Sequence, residues 1–332
     1  MSDFGVGIIA TGHYLPKNVQ TNEDLCKTLV DTTPEWIIEK TGIKRRYFVS
    51  ENESASSMAV NACKSIFDKT GVTASEIGLI IVASFSQDYL FPPLSAKIHK
   101  EIGAAKDCQI FDINTNCTGS VTAMTLAAER MQSNHDIKYS LVIGVEVLSR
   151  FTNQCDKDTA IFFSDGASAV LLGKVEKGYG LINSKFLTDS STYESVRLRG
   201  GGSSHSINNR TFDPAVDFIE QNGLATWKQA VGNLPVVLNA VIKSSNLTIS
   251  DIDFFVFHQA NNNLISYILK KLKIPEDKTR NNVEEIGNTG AASIGLALSE
   301  AYNANLIKTG SYLALAGVGA GFNFGASLWK IQ

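Results

Sequence analysis

IGLIIVAS at residues 77–84 and IDFFVFHQAN at residues 252–261 are apolar runs that end on polar residues, and each opens the same order of events. After the first come NTNCTGSVTAMTLAAERM (114–131), YSLVIGVEVL (139–148) and FSDGASAVLLGKV (163–175). After the second come GNTGAASIGLALSEAYNANL (287–306) and SYLALAGVGAGFNFGASLWKI (311–331). The spacings agree: Ser84 to Cys117 is 33 residues and His258 to Asn288 is 30, while Cys117 to Gly144 is 27 and Asn288 to Gly317 is 29. Near-continuous apolar runs mark strands buried on both faces, and helical stretches between them predict parallel strands with crossover helices. A period of half the chain is far longer than the ~20–50-residue unit of a solenoid. It predicts an α/β protein of two similar halves, residues 1–175 and 176–332, with no Pro/Ser-rich linker between them.

Composition narrows the function classes. The 332 residues are 44% hydrophobic and 19% charged, enough apolar material for a large core and too much for a disordered chain. A net charge of −3 leaves no basic field for nucleic acid. Five cysteines (Cys26, Cys63, Cys108, Cys117, Cys155) form no CxxC pair and no zinc spacing with histidine. A reduced, cytoplasmic protein without a metal site is expected, with at most one cysteine carrying chemistry. The N-terminal residues lack a targeting pattern, and the uncharged run 311–329 is rich in glycine and holds Asn323. Strands and a turn, rather than insertion into a membrane, are expected there.

NTNCTGS and GNTGAAS both set small, turn-forming residues ahead of a helical run, where free N–H groups and the helix dipole favour an anion. Cys117 in the first is therefore expected to have a lowered pKa and to serve as a nucleophile. His258, at a strand end, is a candidate oxyanion donor or general base, and Asn288 a candidate amide donor. Singly these residues read as a core cysteine, a satisfied histidine and a helix cap. Halves related by a near-twofold bring equivalent strand ends together, which favours a single site. GVGAG (317–321) does not complete a nucleotide-binding GxGxxG and predicts a strand-to-strand turn offering a backbone N–H. RGGGSS (199–204) predicts a surface loop. Lys44-Arg45-Arg46 and the cluster Lys270, Lys271, Lys273 predict solvated faces, or contacts to a substrate phosphate.

Taken together, GHYLP (12–16), TPEWIIEKTGI (33–43), FDINTNCTG (111–119), FSDGA (163–167), HQAN (258–261), GNTGAAS (287–293) and GASL (325–328) make the chain similar, nearly end to end, to a known family. It resembles β-ketoacyl-acyl-carrier-protein synthase III, of the thiolase-fold condensing enzymes. The resemblance implies a thiolase-like body layered α-β-α-β-α. It implies a decarboxylative Claisen condensation of an acyl-CoA or acyl-carrier-protein thioester with a malonyl-type thioester, through an acyl-Cys intermediate and without a cofactor. Cys117 would be the acylated nucleophile, His258 and Asn288 the decarboxylation pair, and the backbone N–H groups of Cys117 and Ala320 the acyl oxyanion hole. Trp36 would stack on the coenzyme A adenine, with Lys40 and Lys157 near its nucleotide, and Gly223, Trp227 and Asn261 would line the pantetheine tunnel. Lys228, Lys270 and Lys271 would dock the acyl carrier protein. A homodimer is implied, in which Phe91 crosses into the partner's acyl pocket.

This sequence departs from the family pattern at several of those places. Lys40 and Lys157 replace arginines, which keeps the charge and loses the bidentate fork. Asn263 replaces an arginine of the docking face, Ser120 an aromatic residue, Ala320 a glycine, and Asn116 the usual alanine before the nucleophile. Such changes make a specialised condensing enzyme of secondary metabolism an alternative, one that takes a β-ketoacyl thioester or a non-malonyl acceptor. An acyltransferase to oxygen or nitrogen, or a silent partner subunit, fits poorly with intact Cys117, His258 and Asn288. A cysteine hydrolase with a Cys-His-Asn triad is the reading from another class, although the CGxC setting of papain-like enzymes is missing.

Overall fold

The computed structural model describes residues 3–332. Its first sheet contains β1 (Phe4–Tyr14), β2 (Ile77–Ala83), β3 (Gln109–Ile113), β4 (Tyr139–Glu146) and β5 (Gly166–Glu176), in the order β1-β5-β4-β2-β3. The second contains β6 (Gly180–Thr188), β7 (Phe254–Phe257), β8 (Tyr312–Gly319) and β9 (Asn323–Lys330), in the order β7-β8-β9-β6. Matching β1 to β6, β2 to β7, β4 to β8 and β5 to β9 superposes the two orders. In each sheet the β2-β4 or β7-β8 pair is parallel, and the strands beyond β4 or β8 are antiparallel, while β3 extends the first sheet in parallel beyond β2. A parallel bridge from Phe255 to Thr279 stands in the second sheet where β3 stands in the first.

Two helices, α4 (Gly119–Ser133) and α7 (Ser293–Asn303), form the layer between the sheets. Their inward residues, among them Val121, Met124, Ile294 and Leu298, share one cluster with Leu79 and Ile81 of the first sheet and Val256 and Leu315 of the second. Both helices are built largely from Ala, Gly, Ser and aliphatic residues and are buried nearly all round, as a central layer requires. Helices α2 (Ala55–Thr70) and α3 (Leu94–Ile102) cover the outer face of the first sheet. Helices α5 (Gly223–Ser244) and α6 (Asn262–Leu272) cover the outer face of the second. The result is the layered α-β-α-β-α body expected of a thiolase-like fold, with the short helix α1 (Pro34–Thr41) beside its rim.

One basic cluster departs from its expected exposure. Lys44 and Arg45 are solvated and pair with Glu284 and Glu285, but Arg46 is fully buried. Its guanidinium donates to Asn22 Oδ1 at 2.7 Å and to the Ile161 carbonyl. Sequence neighbours on a strand point to opposite faces, so a run of three charges need not share one environment.

Candidate active site

The C-terminal ends of the parallel strands and the turns after them enclose a cavity of about 1440 Å³, lined by residues from both halves. Cys117, His258, Asn288 and Ala320 all line it, as do Trp36, Lys40, Gly223, Trp227, Asn261 and Asn263. Its walls run from exposed Lys40 to His258 and Asn288, which are only 4% and 7% exposed.

Cys117 sits in a 3-10 turn, Asn116–Thr118, that runs directly into α4. The elbow is sharp because Asn116 adopts a left-handed conformation (φ 49°), which asparagine tolerates better than other side chains. Opposite it lies the β8–β9 turn. A Cβ on Gly319 would fall 2.6 Å from the Thr115 carbonyl, so only glycine lets that turn approach the elbow. Asn116 and Asn323 both donate through Nδ2 to the Ala320 carbonyl, at 3.5 and 3.2 Å, and hold the turn against the nucleophile's segment.

The helix start does not lower the thiol pKa, contrary to the sequence expectation. Burial, and then the Glu146 carboxyl, push Cys117 up to about 12. At neutral pH a thiol raised this far keeps its proton. The remaining cysteines are mixed in exposure: Cys63 and Cys108 are buried, Cys26 is half-buried and Cys155 is exposed.

His258 continues β7 by one residue, its N–H donating to the Ala316 carbonyl at 2.9 Å. Its Nδ1 lies 2.7 Å from Ser293 Oγ, which accepts from the Gln259 N–H at 3.4 Å. When the Ser293 hydroxyl donates to Nδ1, the ring proton is on Nε2. Burial lowers the imidazole to about 3, so it is neutral at any ordinary pH. Asn288 is pinned by backbone bonds to Phe162 and Ser164, and its Oδ1 accepts from the Gly290 N–H at 2.9 Å. That leaves its Nδ2 as the free end. Two neutral N–H donors and one thiol thus meet in one cavity, a set suited to an enolate oxygen and an acyl-thioester.

Other predicted residues fall into distinct places. Lys157 lies over the Trp36 ring, 5.9 Å from its centroid. Trp227 packs edge-on against Tyr267 with centroids 5.6 Å apart. Asn263, in place of the docking arginine, donates to the Glu39 and Lys40 carbonyls at 3.0 and 2.9 Å and closes the end of α1. Lys228 borders a smaller recess on α5. Lys270 and Lys271 occupy the last turn of α6, where Lys271 Nζ donates to the Val231 carbonyl at 2.7 Å. Phe91 is 83% exposed and lies outside the cavity of its own chain, although Tyr89 and Leu90 line it. Gly200, Gly201 and Gly202, read as plain surface loop, line the cavity too. Sequence reasoning missed two buried polar residues. Gln259 ties the His258 segment to Asn282 and Val283 through Oε1, at 3.0 and 3.2 Å, and Glu146 ends β4. The only signal for Glu146 was a carboxylate inside the apolar run YSLVIGVEVL. Among the described residues no cluster of His, Cys, Asp and Glu could hold a metal ion, and no helix is long and apolar enough to cross a membrane.

Comparison with known proteins decides the family. Residues 111–190 match the family model of 3-oxoacyl-[acyl-carrier-protein] synthase III, and residues 242–331 match the model of its C-terminal part. The beta-ketoacyl-[acyl-carrier-protein] synthase III of Clostridium novyi is 37% identical over 328 residues, covering 98% of either chain. The chain belongs to the β-ketoacyl-acyl-carrier-protein synthase III family. Among solved structures of this synthase III family, the enzyme from Aquifex aeolicus matches with a TM-score of 0.88 at 32% identity, covering 98% of this chain and 100% of that one. The one from Thermus thermophilus matches with a TM-score of 0.90 at 30% identity, covering 98% and 99%. As a synthase III, the chain is a condensing acyltransferase.

Proposed function

We propose that the chain carries an acyl group on Cys117 and condenses it with a malonyl-type thioester to give a β-ketoacyl product. In the first half-reaction the Cys117 sulfur attacks the acyl thioester carbonyl, and the N–H groups of Cys117 and Ala320 receive the oxyanion. The departing thiol takes up the proton that Cys117 loses. In the second, the malonyl carboxylate leaves as CO₂ while His258 Nε2–H and Asn288 Nδ2–H stabilise the enolate oxygen. The enolate carbon then attacks the acyl-Cys carbonyl and the thiolate departs.

The observation that carries this reading is the state of the two donors. His258 is neutral with its Nδ1 engaged by Ser293, and Asn288 has its carbonyl engaged by Gly290. A papain-like triad would instead use the asparagine to orient the histidine. In the same reading Trp36, Lys40 and Lys157 hold the coenzyme A nucleotide, and Gly223, Trp227 and Asn261 hold the pantetheine arm. Lys228, Lys270 and Lys271 receive the acyl carrier protein. The chain works in the cytoplasm as a homodimer, with residues 1–175 supplying the nucleophile and residues 176–332 supplying the donor pair.

Intact-mass analysis after exposure to a panel of acyl-CoA and acyl-carrier-protein thioesters tests it. One acyl adduct is expected on the wild-type protein and none on Cys117→Ala. Malonyl-acyl-carrier protein should then discharge the adduct as a β-ketoacyl product. An adduct on another cysteine, or release of the free acid instead of a condensation product, would overturn the reading.

A further inference from the structure

Glu146 is fully buried at the end of β4, and four donors converge on its carboxyl. The Ser84 hydroxyl reaches Oε2 at 3.4 Å, the Phe85 N–H reaches Oε1 at 3.3 Å, and the Ser86 hydroxyl and the Ala291 N–H complete the set. Ser86 Oγ also accepts from the Val147 N–H at 2.8 Å, which ties the Ser84–Ser86 segment back to the strand. These donors come from two separate walls of the site. Phe85 and Ser86 line the cavity, whereas Ala291 belongs to the turn after Asn288, whose Gly290 N–H holds the Asn288 carbonyl. Contact with that turn is close: Gly290 has φ 53°, and a Cβ there would lie 2.9 Å from Glu146 Cγ.

The geometry points to Glu146 as a positioning residue of the condensation, fastening the turn that presents Asn288 to the Ser84–Ser86 wall. This rests on the condensing-enzyme reading. Two backbone N–H groups and two hydroxyls turned towards one point call for oxygen acceptors, and a carboxyl supplies two. Burial raises Glu146 to about 8, so it is mostly protonated at neutral pH, with the Ser84 and Ser86 hydroxyls free to turn and accept that proton. The groups facing it from the Ser84–Ser86 segment and the Gly290–Ala292 turn are uncharged. Cys117, on the nucleophile elbow, is the titratable group whose pKa it raises.

The test uses the full chain, with Glu146→Gln and Glu146→Asp, and reads three quantities beside the melting temperature. These are malonyl decarboxylation, acylation by acyl-CoA, and the pH dependence of Cys117 alkylation by iodoacetamide. Gln removes the charge and leaves one oxygen acceptor where the carboxyl offers two. Decarboxylation should fall by about tenfold or more, the scale of one lost buried hydrogen bond, while acylation changes by less than about threefold. Alkylation above pH ~8 should become faster, because no anion then opposes the thiolate. Asp, which keeps the carboxylate, should bring the alkylation profile back towards wild type. Decarboxylation and acylation falling in parallel, with an unshifted alkylation profile, would reduce Glu146 to a structural residue and overturn the inference. A wild-type protein that never decarboxylates a malonyl thioester would instead refute the functional reading. The alkylation profiles would still decide in that case, and identical profiles for wild type and Gln would overturn the action on Cys117.

Discussion

Replacing Asn288 separates the two half-reactions and tests the donor geometry in sign as well as size. Its Oδ1 is held by the Gly290 N–H at 2.9 Å, so the amide NH₂ is the end available to substrate. Asn288→Ala removes one preorganised donor from the enolate oxygen, a loss of about 2.7–4 kcal/mol or 10²–10³ in rate. Asn288→Asp preserves the shape and the Gly290 bond but turns a carboxylate oxygen towards the developing anion. Two like charges ~4 Å apart at an effective dielectric of ~20 repel by about 4 kcal/mol. Asp should therefore be slower than Ala, although it is the closer isostere. Release of labelled CO₂ from malonyl-acyl-carrier protein measures the second half-reaction, and intact mass of the acyl-enzyme measures the first. Acylation should change by less than about threefold in both variants, since the acyl oxyanion hole uses other N–H groups. Equal loss of both half-reactions, or an Asp variant as fast as Ala, would refute the assignment of Asn288.

Other expectations follow from single observations. Because burial holds His258 down to about 3, the decarboxylation rate should show no imidazole limb near the usual value of about 6.5, and a clear limb there would place a protonatable histidine in the mechanism. Gly319→Ala sets a Cβ 2.6 Å from the Thr115 carbonyl, which forces the β8–β9 turn off the elbow. Acylation measured by mass should fall more than malonyl decarboxylation does, and equal falls would argue against the turn as an oxyanion donor. Arg46→Met leaves Asn22 Oδ1 and the Ile161 carbonyl without their buried donor and should destabilise the fold by about 2–4 kcal/mol in chemical denaturation. A loss under about 1 kcal/mol would mean the site repacks or admits water. Phe91→Ala should leave the dimer largely intact and widen the acyl chain lengths accepted in the mass panel; a fully active monomer at micromolar concentration would sink the partner-pocket role.

The repeat in the sequence was enough to derive two α/β halves, the strand ends and the three residues that meet in the cavity. That worked because strand burial and helix starts leave local marks, period and turn residues, within a few positions of each other. The identity of Cys117, His258 and Asn288 as a group followed from symmetry, since equivalent ends of repeated units come together. Tertiary structure alone decided the electrostatics. The helix start by itself predicted a lowered Cys117 pKa, yet enclosure and a carboxyl 29 residues further along the chain raise it. Arg46 looked like its solvated neighbours until Ile161, 115 residues away, became its acceptor. Gly200–Gly202 lie in the exposed loop that the sequence predicted, and only the fold shows that this loop also lines the cavity. Charge, burial and hydrogen-bond partnership depend on which distant atoms exclude water from a group, and no local pattern of residues carries that information.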